Sequence, residues 1–285
     1  MKLAGKVAIV TGGGRGIGKA IARAFAAEGA RLVLAARSTQ ELESVADIAR
    51  RETGAPCVVQ RCDVSIPADV QKLVEQAQAA FGRVDILVNN AGTYGPIGPL
   101  DECDVDEWRR AIEVNLLGTV YASRAVLPFL RQQRWGRIVN LAGAGIGGPS
   151  VTPRISAYAA SKAAVVQFTE SLAKEVASWN IQVNAIAPGA VTTEITEAVI
   201  SAGPERAGRD FYERSVRQKE QGGDPPELAA RLAVYLASEE CKLTGKLLSA
   251  KWDKFDSIDA EQANRGSLFA LRRIDGVLFA EVKKP

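Results

Sequence analysis

Histidine is missing from the 285-residue sequence. Its absence excludes zinc sites that need imidazole ligands and nucleophile pairs in which histidine is the base, and we predict no metal site. The sequence also has no apolar run of the roughly 18–20 residues that a membrane span requires. The four cysteines, at positions 57, 62, 103 and 241, include no Cys-x-x-Cys pair, so we expect reduced and buried thiols.

Charges of the two signs nearly balance, with 36 Lys and Arg against 33 Asp and Glu and a net charge of +3. Such a small excess does not favour a nucleic-acid partner or an anionic membrane surface. Residues 1–6 lack the apolar core of a signal peptide. With 47% apolar and 24% charged residues, the composition is that of a globular protein, and we expect a cytoplasmic one.

Short apolar segments alternate with helical patterns about seven times along the chain. The predicted strands are 6–10, 31–35, 57–61, 85–89, 136–141, 181–187 and 246–250. The predicted helices are 16–28, 40–52, 68–81, 106–131, 156–178 and 225–238. Because the strands are apolar throughout, they predict a parallel sheet that helices cover on both faces. The predicted fold class is therefore α/β, with a doubly wound, Rossmann-type sheet of about seven strands.

The chain shows no break in composition before residue 250, so we predict a single domain over 1–250. Residues 251–285 form a C-terminal extension that we expect to pack on the body or on a neighbouring subunit. An Asp-Gly pair inside 268–282 predicts a short hairpin there, the alternative being irregular chain. The polar, weakly helical segment 192–223 follows a strand end and is a candidate mobile lid.

A glycine-rich segment, Thr-Gly-Gly-Gly-Arg-Gly-Ile-Gly at 11–18, links the first strand to the first helix. Glycines let the backbone turn tightly and approach a pyrophosphate, while the helix N-terminus offers free N–H donors. The spacing departs from Gly-x-Gly-x-x-Gly because Ile17 occupies the place of the third glycine. A plain tight connection is the alternative interpretation.

Three further motifs lie at later strand ends or on the helix that follows. They are Asn-Asn-Ala-Gly at 89–92, Tyr-Ala-Ala-Ser-Lys at 158–162 and Pro-Gly-Ala-Val-Thr-Thr at 188–193. Tyr158 and Lys162 are four residues apart and share one helix face. A nearby cation favours phenolate and lowers the tyrosine pKa from its reference near ~10, which suits a proton donor and acceptor. Each motif also has a purely structural interpretation. Residues 89–92 could be a generic exit from a strand, Tyr158 and Lys162 a pair on the surface, and residues 188–193 a plain turn.

Taken together, these motifs resemble the classical short-chain dehydrogenase/reductase (SDR) family over about residues 1–250, with Asn115 on the long helix completing the set. The resemblance implies hydride transfer between NAD(P) and a carbonyl or secondary alcohol. It implies that Tyr158 exchanges a proton with the substrate oxygen and that Lys162 binds the nicotinamide ribose. Asn115 would hold a water that links Lys162 to solvent. The long helices imply a homotetramer or homodimer.

The same resemblance assigns cofactor contacts at several strand ends. Asp63 and Val64 would flank the adenine, and the segment from Asn89 would adjoin the ribose next to it. The predicted cofactor-binding residues are Gly12, Arg15, Gly16, Ile17, Gly18, Arg37, Asp63, Val64, Asn89, Ala91, Gly92, Tyr158, Lys162, Pro188, Gly189, Val191 and Thr193.

The end of the second strand indicates which cofactor binds. A site that prefers NAD places a carboxylate there to accept the ribose 2′-hydroxyl. This chain has Ala36 followed by Arg37, and Arg15 adds a second cation on the same side. Two guanidinium groups suit a 2′-phosphate. We therefore predict NADP(H), with NAD as the alternative.

One departure from the family concerns the serine just past the fifth strand, which usually hydrogen-bonds the substrate oxygen. Ala142 and Gly143 are the two possible equivalents, and neither has a hydroxyl. Losing one such donor costs on the order of 10²–10³ in rate at comparable sites. Restoring a serine is expected to raise the rate if this gap is a defect.

Three interpretations follow from the missing serine. The chain is an NADP(H)-dependent oxidoreductase with a modified site, a nucleotide-binding protein with little catalysis, or an enzyme whose small-molecule substrate brings its own hydroxyls. The joint presence of Tyr158, Lys162 and Asn115 favours the first, because a pure binding module has no need for a phenol beside an ammonium.

Overall fold

The computed structural model describes residues 1–143, 146, 151–265 and 269, so the hairpin predicted over 268–282 lies outside the described residues apart from Phe269. Within these residues seven parallel strands form one sheet in the order β3-β2-β1-β4-β5-β6-β7. The strands are β1 (Val7–Thr11), β2 (Arg31–Ala36), β3 (Cys57–Arg61), β4 (Ile86–Asn89), β5 (Gly136–Leu141), β6 (Ile181–Ala187) and β7 (Leu247–Ser249).

Helices connect the strands and cover both faces of the sheet. They are α1 (Gly16–Ala27), α2 (Thr39–Thr53), α3 (Pro67–Phe81), α4 (Val105–Ile112), α5 (Gly118–Gln133), α6 (Ser156–Val176), α7 (Glu194–Ala207), α8 (Arg209–Gln221), α9 (Pro226–Ala237) and α10 (Ala260–Arg265). The predicted doubly wound α/β fold is confirmed. Strand order reverses between β1 and β4, which opens a crevice at the carboxyl ends of the strands.

The side chains of each strand alternate between two hydrophobic layers. On β1, Ala8 and Val10 pack with α1, α2 and α9 on one face. Val7 and Ile9 pack with α3, α5 and α6 on the other. All five residues of β1 are buried, and burying a large aliphatic side chain contributes about 1.5–3 kcal/mol. The sheet is thus a rigid support for the loops at its carboxyl end.

The long helix predicted over 106–131 is interrupted by a π-helical turn at Glu113–Leu117, between α4 and α5. Such turns insert an extra residue and redirect the side chains they carry. Asn115 lies within this turn. At its end Gly118 allows close packing, because a Cβ there would lie 2.7 Å from Cγ2 of Val64. The turn therefore determines where the Asn115 side chain is placed.

The segment predicted to be a lid forms two helices, α7, which is kinked at Gly203, and α8. The first part of the C-terminal extension packs on the body, where Ala263 is 1% exposed in the same hydrophobic layer as α9. Phe255 and Ile258 pack against that layer too. No helix of the described residues has both the length and the apolarity needed to cross a membrane.

Asp85 joins the amino-terminal ends of β1 and β4. Its fully buried carboxylate accepts hydrogen bonds from the Val7 N–H at 2.9 Å and from Arg83 at 2.8 and 2.7 Å.

Asp85→Ala leaves these donors unpaired and is expected to lower the free energy of unfolding by about 2–4 kcal/mol, measured by urea denaturation. Asp47→Ala, which removes an exposed carboxylate bonded to Arg50, is the control. We expect it to change stability by less than about 0.5 kcal/mol; an equal loss in both variants contradicts the assignment.

Candidate active site

The glycine loop between β1 and α1 is packed too closely for a side chain at Gly12 or at Gly18. Gly12 has a φ of +64°, and a Cβ there would lie 2.7 Å from Nδ2 of Asn90. A Cβ on Gly18 would overlap the carbonyl oxygen of Gly12. The helix N-terminus that follows has no side-chain cap, since Arg15 at the N-cap makes no capping bond. Its first-turn N–H groups are therefore available to an anion.

Asn90, which is not among the predicted cofactor-binding residues, holds this loop in place. Its Nδ2 donates hydrogen bonds to the carbonyl oxygens of Thr11 and Gly12, both at 3.0 Å. The backbone N–H groups of Asn90 and Ala91 donate to Oγ1 of Thr11 at 3.1 and 3.2 Å. The loop is thus bonded to the exit of β4, and the doubled asparagine was the only signal of this role in the sequence.

The neighbouring Asn89 turns its side chain into the protein. Its Nδ2 donates to Oδ1 of Asn140 at 2.9 Å and to Oγ of Ser123 at 3.2 Å, and the residue is 4% exposed. Asn140 continues the network by donating to Oγ1 of Thr169 at 2.8 Å. The predicted cofactor contact at Asn89 is thus limited to its backbone, because the side chain links β4, β5, α5 and α6.

Tyr158 and Lys162 lie on α6, and Asn115 and Leu141 lie beside them. Lys162 is 4% exposed, and its Nζ donates a hydrogen bond to the carbonyl oxygen of Leu141 at 2.7 Å. Gly92 fits closely against this group, since a Cβ there would lie 3.4 Å from Nζ of Lys162 and 3.2 Å from Oδ1 of Asn115. The structure therefore brings together the three residues predicted to be catalytic.

The Asn115 side chain bonds to both neighbouring segments. Its Nδ2 donates to the carbonyl oxygen of Thr93 at 2.8 Å and to Oγ of Ser161 at 2.9 Å. Its Oδ1 accepts a hydrogen bond from the Thr93 N–H at 2.8 Å. These bonds fasten α6 to the segment that follows β4. The water that Asn115 is expected to hold for Lys162 stays a prediction.

Burial shifts the pKa values of both titratable groups on α6. It raises the pKa of Tyr158 above its ordinary value, and the neighbouring phenol of Tyr94 raises it further. It lowers the pKa of Lys162 to about 8. The expected lowering of the tyrosine pKa by Lys162 is therefore not found in this arrangement, because burial of the phenol and the neighbouring Tyr94 both shift the pKa upward.

Gly143 is the position that faces the Tyr158 hydroxyl. A Cβ on Gly143 would lie 2.9 Å from that oxygen and 2.8 Å from Cε1 of the ring. Ala142 instead packs in a small apolar cluster with Val166 and Ala185. Among the described residues, none hydrogen-bonds the Tyr158 hydroxyl. Of the two possible equivalents of the serine, position 143 is thus the one at the site.

Aromatic and aliphatic side chains surround the Tyr158 ring. Tyr94 packs edge-on against it, with ring centroids 4.5 Å apart and an interplanar angle of 81°. Phe211 of α8 lies 6.3 Å from the Tyr94 ring. Ile155 and Val199 belong to the same cluster. The segment predicted to be a lid therefore supplies an apolar wall next to the phenol.

The end of the crevice predicted to hold the adenine contains two groups of charges. Asp63 accepts hydrogen bonds from Arg110 and Ser65; burial raises its pKa, but these bonds lower it to a net value below the usual one. Val64, the other residue predicted to flank adenine, is 8% exposed. Asp63 is therefore an ionised carboxylate held by its neighbours.

The second group lies around the glycine loop. Nη1 of Arg15 is 3.5 Å from Oε1 of Glu41 and also contacts Glu194 of α7. Arg37 is exposed, and no ion pair engages it among the described residues. Of the two cations predicted to hold a 2′-phosphate, Arg15 is thus bonded to carboxylates and Arg37 is not.

The loop after β6 approaches the glycine loop. Gly189 has a φ of +88°, and Val191 is 9% exposed. Thr193 begins α7 through a capping box with Thr196, and its Cγ2 would lie 3.3 Å from a Cβ placed on Gly16. The first and last of the predicted cofactor-binding segments therefore lie next to each other.

Oxidoreductases from two bacteria are similar to this chain in sequence. A model of the short chain dehydrogenase family matches residues 6–203. An uncharacterised oxidoreductase of Staphylococcus aureus (strain USA300) is 40% identical over 196 residues, which cover 69% of this chain and 82% of that protein. An uncharacterised oxidoreductase of Staphylococcus saprophyticus subsp. saprophyticus is 34% identical over 237 residues, covering 82% of this chain and 90% of that protein.

Several solved structures of dehydrogenases and reductases have a similar fold. Levodione reductase has a TM-score of 0.78 and 30% identity, covering 87% of this chain and 96% of its own. NAD⁺-bound xylitol dehydrogenase has a TM-score of 0.78 and 31% identity, covering 87% and 98%. A variant of actinorhodin polyketide ketoreductase with NADPH has a TM-score of 0.76 and 31% identity, covering 86% and 95%. The family match, the curated relatives and the shared fold show that this chain is a member of the short-chain dehydrogenase/reductase family of oxidoreductases.

Proposed function

We propose that the chain is an NADP(H)-dependent oxidoreductase that interconverts a carbonyl and a secondary alcohol. The proposal rests on where the structure places the Tyr158 hydroxyl. It faces the bare Gly143, has no hydrogen-bond partner among the described residues, and lies one helical turn from the buried Lys162. A phenol placed in this way is available to a substrate oxygen.

The loops at the carboxyl edge fit a dinucleotide. The tight turn that Gly12 and Gly18 allow and the uncapped N-terminus of α1 suit a pyrophosphate. The segment from Pro188 to Thr193 would hold the nicotinamide amide, and Lys162 would hold the adjoining ribose. When bound, the nicotinamide would supply or accept the hydride.

Tyr158 performs the proton transfer in this proposal. In reduction its hydroxyl donates a hydrogen bond and then a proton to the substrate oxygen, and in oxidation the phenolate accepts that proton. The ammonium of Lys162 favours the phenolate electrostatically. In this proposal Asn115 positions Tyr158 and Lys162 and does not touch the substrate, because its side chain holds α6 against the segment that follows β4.

The preference for NADP(H) rests on the end of β2. Ala36 offers no carboxylate to a ribose 2′-hydroxyl, and the exposed Arg37 is free for a 2′-phosphate. Arg15 would have to exchange Glu41 and Glu194 for the phosphate, so we assign it the smaller share of the binding. NAD remains the alternative cofactor.

The substrate we propose is a small carbonyl compound, or the corresponding alcohol, with an apolar body. The side chains around Tyr158 support this, since Tyr94, Phe211, Ile155 and Val199 present rings and aliphatic groups. A polyol that brings its own hydroxyls fits such walls less well.

A nucleotide-binding protein with little catalysis is the second candidate. It is favoured by the absence of a hydroxyl at Gly143 and by the edge-on packing of Tyr94 against Tyr158. Tight NADPH binding with no turnover of any carbonyl compound would support it.

We further propose a cytoplasmic homotetramer or homodimer. The half-buried aromatic rings of Tyr121, Phe129 and Phe168 on α5 and α6 support an interface there. The four cysteines are free, as in reducing compartments.

Tyr158→Phe tests the proton transfer. We expect NADPH oxidation with a panel of cyclic and aromatic ketones to fall by about 100-fold or more, while NADPH binding is retained. Burial holds the pKa of Tyr158 above its ordinary value and lowers that of Lys162 to about 8. Between about pH 6 and 7 the rate of reduction should therefore vary little, and the rate of alcohol oxidation should rise with pH. Tyr212→Phe, in the same aromatic cluster, is the control, and equal rates in wild type and Tyr158→Phe contradict the proposal.

Gly143→Ser and Gly143→Ala test whether the missing hydroxyl is a defect. Either Cβ would lie within 3.0 Å of three atoms of Tyr158 and displace the ring. We expect both variants to lose turnover by roughly 10-fold, because small misplacements of a reacting group are costly. The difference between serine and alanine measures what the hydroxyl itself contributes. A Gly143→Ser rate above wild type would show instead that the absent donor limits the enzyme.

Ala36→Asp tests the cofactor preference. A carboxylate at this position repels a 2′-phosphate and accepts a hydrogen bond from a 2′-hydroxyl. The dissociation constant of NADPH, divided by that of NADH, should therefore rise by about 10-fold or more. Fluorescence titration with each dinucleotide measures the ratio without a substrate. Arg31→Ala, at the other end of the same strand, should leave the ratio unchanged. An unaltered ratio in Ala36→Asp argues against 2′-phosphate recognition at this strand end.

A further inference from the structure

Asp224, just before α9, is bonded on both sides to the loop that follows β6. The Ala190 N–H donates a hydrogen bond to Oδ2 of Asp224 at 2.8 Å. The Asp224 N–H donates in return to the carbonyl oxygen of Ala190 at 2.9 Å. Both backbone polar groups of Ala190 are therefore bonded by one residue, which restricts the loop in position and in tilt.

The packing around these bonds leaves little room for another arrangement. A Cβ on Gly189 would lie 2.7 Å from Oδ2 of Asp224. A Cβ on Gly223 would overlap the carbonyl oxygen of Ala190. The loop and the segment before α9 thus meet through glycine on both sides, so a displacement of Asp224 is transmitted directly to residues 188–193.

The second oxygen of Asp224 is held by the start of the C-terminal extension. Nζ of Lys251 lies 2.7 Å from Oδ1 of Asp224, whose side chain is only 14% exposed. Burial raises the pKa of Asp224, but the bonds from Lys251 and Ala190 lower it to a net value below the usual one. Lys251 is itself placed by the sheet, because the Ala250 N–H donates to the carbonyl oxygen of Ala187 at 2.9 Å.

We propose that Asp224, held by Lys251, is a positioning residue for the nicotinamide half of the cofactor. The inference rests on the proposed function in that residues 188–193 must be the segment that binds the nicotinamide. Asp224 touches this segment and not the glycine loop, so its influence is confined to one end of the dinucleotide. The C-terminal extension thereby contributes to the site through its first residue, Lys251.

Two ligands distinguish positioning from general stability. NADPH carries the nicotinamide, whereas 2′-phospho-ADP-ribose has the same adenine, phosphates and riboses without it. Asp224→Ala is expected to weaken NADPH binding by roughly 10-fold and 2′-phospho-ADP-ribose binding by less than about 2-fold, measured by fluorescence titration and calorimetry. Asp224→Asn keeps an acceptor for the Ala190 N–H and should recover most of the loss. The NADPH affinity of Lys251→Met should lie between those of Asp224→Ala and Asp224→Asn.

Glu239→Gln is the matched control, because it breaks an ion pair with Lys6 at 3.0 Å at the opposite end of the sheet. It should leave both affinities unchanged. Equal losses for the two ligands, with a lowered melting temperature, would show that Asp224 only stabilises the fold. Unchanged NADPH binding in Asp224→Ala also overturns the inference. If the wild-type protein binds neither NADPH nor NADH, the proposed function itself fails, and this result is distinct from the other two.

Discussion

The ammonium group of Lys162 lies buried against the carbonyl oxygen of Leu141, and the rest of the site is arranged around that bond. A buried cation needs polar partners, since its desolvation is costly. The partner here is the last residue of β5, so the bond ties α6 to the edge of the sheet. Tyr158, one turn earlier on α6, is thereby brought against Gly143, two residues beyond Leu141.

This geometry explains why position 143 has no side chain. The volume next to Gly143 that a side chain would need is taken by the Tyr158 ring. Tyr94 supports the ring from another side. The lack of a side chain at position 143 is therefore coupled to the packing of the Tyr158 ring. The high pKa of Tyr158 has the same origin, because the surroundings that fix the ring also desolvate it.

Around this centre, the loops at the carboxyl edge are fixed by neighbours that are distant in sequence. Asn90 bonds the glycine loop to β4, and Asp224 bonds the loop after β6 to the segment before α9. Each of these side chains binds backbone groups of a loop that is distant from it in sequence. The two halves of the crevice are thus held by different residues, and they come together where Thr193 lies beside Gly16.

The sequence by itself determined the α/β class, the parallel sheet and the location of the motifs. The bounds predicted for β3, β5 and β6 agree with the structure residue for residue. These features follow from local patterns, since runs of buried apolar residues and glycine-rich turns depend on nearby residues alone.

Only the tertiary structure decided which residues face the site. It distinguished Gly143 from Ala142, turned Asn89 inward while Asn90 holds the loop, and placed Asp224 against Ala190. It also reversed the expected direction of the Tyr158 pKa shift. The physical reason is that desolvation and hydrogen bonding depend on groups brought together from distant parts of the chain, and no local pattern carries that information.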